Sequence, residues 1–437
     1  MLWPRPITGG GRKVRGSVLF KSLRFLARRA LLSAADFAVT TPPVRWTWTG
    51  PASDEWVIEL AEFRPTDRET VHEMMQGRYL FSSKLVDTNG VSPFAINAGH
   101  RDWQDDLQSF SWLRHFREAR SDEERRFART LALDWIGREK LFRRDIWAPS
   151  LCARRVLNWL RHFNILVEGA SMEQAETIGR SLGAQIQSLR LRGVLANEPV
   201  DALLAAIALV GVALCNQSSE SETNARLLRL HRLLDQQIDE DGLHRSRSAS
   251  VQVQLLVELA TIHQGLQLSR DEYANEFTEL LERMYRALDA ISLGTGEPAY
   301  FNGTGQMPHD LVVAVQAQNP TRARATGAAG GYGRLLWGSA IVVADSGLVP
   351  SSEFTRDAHA SALAIEFSHG RDLIVCNCGP APASLQNNRH LFRQGIAHSA
   401  PTINALSAAS IPATGPLAGR LVPVGAPPLI ETDELDH

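Results

Sequence analysis

The chain has 437 residues, 44% hydrophobic and 22% charged, with 46 Lys and Arg against 48 Asp and Glu for a formal net charge of -2. That length exceeds what one hydrophobic core usually supports, so at least two folding units are expected. The balanced charge gives no footprint for a nucleic-acid partner, four cysteines are too few for a disulfide scaffold, and the longest uncharged apolar run, residues 202–215, is short of the ~20 residues that a membrane helix needs.

The first forty residues carry Arg5, Arg12, Lys13, Arg15, Lys21, Arg24, Arg28 and Arg29 against a single acid, Asp36. Residues 1–45 therefore read as a basic leader. Its charges interrupt any secretory apolar region, so no cleavable signal is read. Two readings stand: an amphipathic segment in peripheral contact with an anionic membrane surface, or a solvated leader.

From about residue 122 to 293 the apolar spacing is helical. Three pairs have the form of a capping box, Ser121 with Glu124, Ser171 with Gln174, and Ser269 with Glu272. Ile178, Leu182, Ile186 and Leu189 make one apolar stripe after the second, and Phe277, Leu281, Met284 and Leu288 make another after the third. Pro199 suits the first turn of a helix over 200–215, and residues 224–238 carry five leucines. Helix follows helix with short connections, which predicts an all-α toroid or solenoid over residues 46–318. Cys152 and Cys215 read as buried free thiols. Trp103, Trp112, Trp135, Trp147 and Trp159 fit either a core or the lining of a sugar groove.

The texture changes after Asn302. Residues 319–333 read as a linker, and short β-type runs follow at 334–337, 341–344, 362–367, 373–376 and 402–406. This predicts an antiparallel sheet or sandwich over residues 334–437. Only 39 residues follow His398, so the sandwich is expected to be shortened, with an exposed edge that a homodimer would complete.

Several segments together resemble bacterial heparinase II/III-like proteins. They are Trp103-x-x-x-Leu107-x-x-Phe110-x-Trp112-Leu113-Arg114, Trp147-x-Pro149, Arg155-Val156-Leu157-Asn158-Trp159-Leu160, and the run from Asp241-Gly242 to Ser248. In the β region the run from Ala358 to Glu366, then Asn377-Cys378-Gly379, then the run from Phe392 to Ser399 keep the family's order. The resemblance implies an incomplete α/α toroid followed by an antiparallel β-sandwich. It also implies β-elimination on uronic-acid-containing, acidic polysaccharides, and a place in the cell envelope or periplasm.

Such a reaction needs a group to neutralise the substrate carboxylate, a base for the C5 proton and an acid for the departing oxygen. On the resemblance, Asn197 matches the neutraliser, although Glu198 follows it where the family has histidine; a loop role ahead of Pro199 is the alternative. The family's catalytic tyrosine aligns with Val251, which moves no proton, leaving His244 as the substitute in the same loop. Arg245 and Arg393 are candidate anion contacts, and Asn302, in the glycine-rich loop 300–305, a substrate contact. His359, Asn377 and His398 match the family's zinc ligands, with an amide where the family has a carboxylate and Asp357 where it has a further histidine; strand histidines bonded to carbonyls are the alternative. Cys376 and Cys378 flank Asn377 and offer a soft metal site, a redox pair or two buried strand thiols. The departures at Val251, Glu198, Asp357 and Asn377 keep a second function open: a catalytically impaired glycan-binding or scaffold protein.

Overall fold

The structure is a computed structural model and describes residues 11–48, 59–139, 142–216, 218–269, 272–319, 327–402, 407–415 and 417–424, with the backbone alone for 11–22 and 383. Arg5, residues 320–326 of the linker and the 402–406 run beyond Thr402 lie outside these.

The chain opens with α1 (Gly11–Val39) and α2 (Pro42–Arg45), then α3 (Arg68–Met75) and a hairpin of β1 (Arg78–Phe81) and β2 (Lys84–Asp87). The helical body continues with α4 (Arg101–Ser109), α5 (Asp122–Arg138), α6 (Pro149–Arg161), α7 (Phe163–Val167), α8 (Met172–Arg192), α9 (Pro199–Cys215), α10 (Glu220–Gln237), α11 (Ala249–Ser269), α12 (Ala274–Ala290) and α13 (His309–Gln316). Burial divides these into two layers. Helices α6, α9 and α11 are buried almost all round, whereas α8, α10 and α12 bury one stripe each, such as Leu227, Leu230 and Leu234 of α10. Inner and outer helices alternate along the chain and pack as α6 on α8, α9 on α10 and α11 on α12, with α6 and α11 both against α9. This is the layering of an α/α toroid. The five tryptophans of helical spacing lie in its core.

Local signals explain most helix starts. Ser171 and Gln174 form a complete capping box on α8, and the Ser121 hydroxyl accepts the Glu124 N-H on α5. The third box is corrected. Ser269 ends α11 with its hydroxyl on the Leu266 carbonyl, and α12 starts after Tyr273.

The β part consists of small antiparallel sheets. Strands β3 (Tyr332–Trp337), β4 (Ala340–Asp345), β5 (Ile365–His369) and β6 (Asp372–Val375) form a four-stranded meander; after α14 (Arg389–Phe392), β7 (Ala409–Ser410) and β8 (Val422–Pro423) make a short ladder. One sheet face turns toward the helices: Arg334 donates to the carbonyls of Asp289, Ala290 and Ser292, and Ser368 accepts the Gly294 N-H. Leu335 and Trp337 on the other face are exposed. Among the described residues the sandwich thus has one full layer. Strand β5 begins later than the 362–367 run because Leu363 adopts a positive φ and the Ala364 N-H closes a turn on Ser361.

Candidate functional site

The loop before α11, the loop 300–305 and the sheet converge on one seam, and of the groups singled out by sequence it joins Asn302 to the His359 backbone. The join is made of buried polar contacts. Arg247, at positive φ, donates to the Gly330, Gly331 and Leu348 carbonyls, pairs with Asp345 at 2.6 Å and lies over the Tyr332 ring at 4.3 Å. The Tyr332 hydroxyl donates to the Arg247 carbonyl at 2.6 Å and accepts from the Asn302 amide at 2.7 Å. The other end of Asn302 accepts the His359 N-H at 3.2 Å. Asn302 therefore connects two layers, with its amide nitrogen and its Oδ1 both bonded within the protein. Gly303 beside it has φ +81, and a Cβ there would lie 2.7 Å from the Asp357 carbonyl oxygen, so its close approach is to the chain itself.

His244 lies behind this seam, fully buried. Its Nδ1 accepts the Ser246 N-H at 3.1 Å, and its Nε2 donates to Gln237 Oε1 at 3.1 Å; Gln237 in turn donates to the Pro199 carbonyl. Both ring nitrogens are thus occupied, and Phe354 packs edge-on against the ring. Burial, with the Arg245 charge adding to it, depresses this imidazole to about 3. Arg245 itself is exposed, and the inward arginine of the same run is Arg247. The Asp241 carboxylate accepts the Gly330 N-H and so shapes the same seam.

Asn197 is separate from His244 but close to its supports. Its amide donates to Ser33 of α1, while its Oδ1 is buried without a hydrogen-bond partner. Asn197, Gln237 and Phe354 line one cleft with Phe25, Arg28, Arg29 and Leu32 of α1.

His359 and His398 do come together, with ring centroids 5.0 Å apart. His359 Nδ1 and both His398 ring nitrogens are buried without hydrogen-bond partners, so two imidazoles are free to coordinate. The rest of the donor set does not fit zinc. Asn377 Oδ1 accepts the Ser399 N-H at 2.9 Å, and its amide and backbone N-H both donate to Glu366 Oε1 at 3.0 and 2.8 Å. Asp357 pairs with Arg389. No third carboxylate, thiolate or imidazole joins the pair among the described residues. Burial pushes His359 down to about 2, with His398, Arg393 and Arg389 adding to the effect; burial also lowers His398 to about 4 against the Phe392 backbone. Neutral imidazoles suit a metal, but arginines without a free carboxylate leave a dication uncompensated. Arg393 is turned to the protein itself, its guanidinium donating to the carbonyls of Ala358, Gly419 and Thr355. Cys376 and Cys378 are exposed, which corrects the reading of buried thiols: β6 ends at Val375, and there Asn377 alone turns inward to Glu366.

Residues 319–431 match the family model described as Heparinase II/III-like, C-terminal. The chain carries a heparinase II/III-like C-terminal domain. The fold similarity extends further, to a crystal structure of heparinase III (TM-score 0.60, 11% identity, 92% of this chain and 71% of that one). It extends also to a heparan sulfate lyase HepC mutant from Pedobacter heparinus (TM-score 0.50, 13% identity, 92% and 69%). At these identities the likeness is one of fold. A curated relative is FtsZ-localized protein C from Caulobacter vibrioides (strain NA1000 / CB15N), 26% identical over 408 residues that span 90% of this chain and 67% of the relative.

Sequence reasoning missed the charges inside the helical body. Glu62 binds Arg64 at 2.5 Å and His162 at 3.1 Å, Arg64 reaches Asn158 at 2.6 Å, and Arg161 pairs with Glu258 and donates to Thr261 at 2.9 Å. The legible signal is a buried polar stripe, Arg155, Asn158 and Arg161, on the largely apolar α6. Asp201, in the first turn of α9, was also missed. Burial and Glu198 raise its carboxyl to about 6, against Ser150, Arg356 and Arg154.

Proposed function

We propose that this protein is a non-lytic, acidic-glycan-binding scaffold of the cell envelope, built on the lyase fold without the lyases' proton-transfer group. The observation that carries the reading is His244, the residue left to replace the tyrosine position now held by Val251. It is sealed from solvent, bonded at both nitrogens and neutral down to about pH 3. A general base must reach the proton that it removes. The engagement of Asn302, Arg393 and Asn377 within the protein supports the same reading. Among the described residues the donor set at His359 and His398 lacks a third ligand, which supports a domain that works without zinc.

The relative's name supports a scaffold that localises with FtsZ. Calorimetric titration with uronic-acid oligosaccharides, beside co-pelleting with FtsZ polymers, tests the assignment. Oligosaccharide binding without degradation is expected, and absence of oligosaccharide binding overturns the glycan assignment whether or not the protein co-pellets with FtsZ.

A lytic reading has one observation in its favour. Asp201 combines a carboxyl raised to about 6 with a place four residues after Asn197, the range in which a carboxylate exchanges protons near neutrality. Under that reading, Asp201→Asn abolishes product formation with folding intact.

A further inference from the structure

Cys376 and Cys378 are both exposed, while Asn377 between them is buried. The segment follows the end of β6 at Val375 and is held from behind. The Asn377 backbone N-H and amide donate to Glu366 Oε1 at 2.8 and 3.0 Å, and its Oδ1 accepts the Ser399 N-H at 2.9 Å. Gly379 closes the segment at φ +67 against the loop 300–305, where a Cβ would lie 3.4 Å from the Thr304 carbonyl oxygen. The alternation exposed, buried, exposed is that of an extended segment, which sends both thiols out on one side. The Cys378 thiol donates to the Gly379 carbonyl at 3.4 Å. Burial raises this thiol above its usual value, and the nearby Cys376 raises it further.

Two chemistries are open to such a pair, and spacing decides between them. Residues i and i+2 of an extended segment are roughly 6.6 Å apart at Cα, at the upper end of the ~4.4 to 6.8 Å that a disulfide spans, and their Cβ vectors run side by side. Closing a disulfide would drag Asn377 off Glu366 and Ser399. A metal ion about 2.3 Å from each sulfur bridges roughly 4.6 Å and asks for no such contraction. Zinc takes four ligands, and among the described residues no third His, Cys, Asp or Glu joins the pair. Two thiolates satisfy a soft monovalent ion.

We propose that Cys376 and Cys378 form a two-thiolate site for a soft monovalent metal ion of the copper(I) class, on the exposed side of the β part. On binding, both thiols lose their protons to solvent, two sulfur–metal bonds form and no electron moves. The single negative charge that results stays at the surface, where water solvates it. The site uses neither His359 nor His398 and is independent of the glycan reading.

Anaerobic titration of the reduced full chain with copper(I) buffered by bicinchoninate tests the site. The protein is expected to withdraw one equivalent. Cys376→Ser and Cys378→Ser, both at exposed positions and so expected to fold as the wild type does, should each weaken binding by about 100-fold or more, because the second sulfur no longer acts at high effective concentration. Asn377→Ala keeps both thiols but frees the segment, and should weaken binding about tenfold. His359→Ala should leave it unchanged. No copper(I) withdrawn by the wild type, or single-serine variants that hold it as tightly, overturns the site. Loss of binding in His359→Ala also overturns it, by assigning the ion to the imidazole pair. Ready closure of a Cys376–Cys378 disulfide by glutathione disulfide, with no copper(I) held by the reduced form, overturns it in favour of a redox pair.

Discussion

Arg247 and Asp345 form a buried ion pair, 2.6 Å long, that joins the loop before α11 to the end of β4. Asp345 also accepts the Ser361 hydroxyl at 2.7 Å, so one carboxylate fixes the helical body and the segment that follows His359. The pair holds the seam between the two parts of the protein.

Removing one partner leaves the other buried and uncompensated. Arg247→Ala is expected to cost about 3 to 5 kcal/mol, and Asp345→Asn less, because its amide still accepts the Ser361 hydroxyl. Chemical denaturation checks both. A loss under about 1 kcal/mol for Arg247→Ala would show that the pair does not hold the seam.

Acid should loosen the same region. His244 is lowered from 6.5 to about 3, and His359 and His398 are lowered to about 2 and 4. In each case the unfolded chain takes up a proton that the folded one refuses. Their contribution is fully present above pH 6.5 and fades as pH falls below it, down to about 4 for His398, about 3 for His244 and about 2 for His359. His244→Gln is therefore expected to make the acid limb of a stability-pH curve shallower by one proton. An unchanged slope means that His244 is protonated in the folded state.

Arg393 holds three carbonyls from separate segments. Arg393→Lys should lower stability by about 1 to 3 kcal/mol through unmade hydrogen bonds and leave oligosaccharide affinity unchanged. A fall in affinity with stability preserved assigns the guanidinium to the ligand instead.

Zinc at 100 times its dissociation constant would stabilise a folded protein by about 2.7 kcal/mol. No such shift in thermal unfolding is expected here, in the absence or presence of added zinc. A clear rise that His359→Ala abolishes would restore the metal site.

Much of the helical body was legible because burial there follows a period that the sequence displays: α8, α9 and α12 sit where their stripes and Pro199 put them. The hairpin of β1 and β2 was not, since its turn uses Ser82 and Ser83 at positive φ rather than the glycine or asparagine that marks such turns. The site was legible as a set of segments but not as roles. Arg245 and Arg247 are alike in sequence, and only the path of the loop decides that the second is buried. Asn377 shows an amide where a carboxylate would bind metal, yet its bonds to Glu366 and Ser399 come from distant strands and turns that no local pattern encodes.

The central claim is that the fold persists without its elimination chemistry. Ultraviolet absorbance of the unsaturated sugar product, followed over hours across a panel of uronic-acid glycans, tests it most directly. The account predicts a flat trace for the wild-type protein, with and without zinc. A rising trace that Asp201→Asn or His244→Gln removes would contradict it.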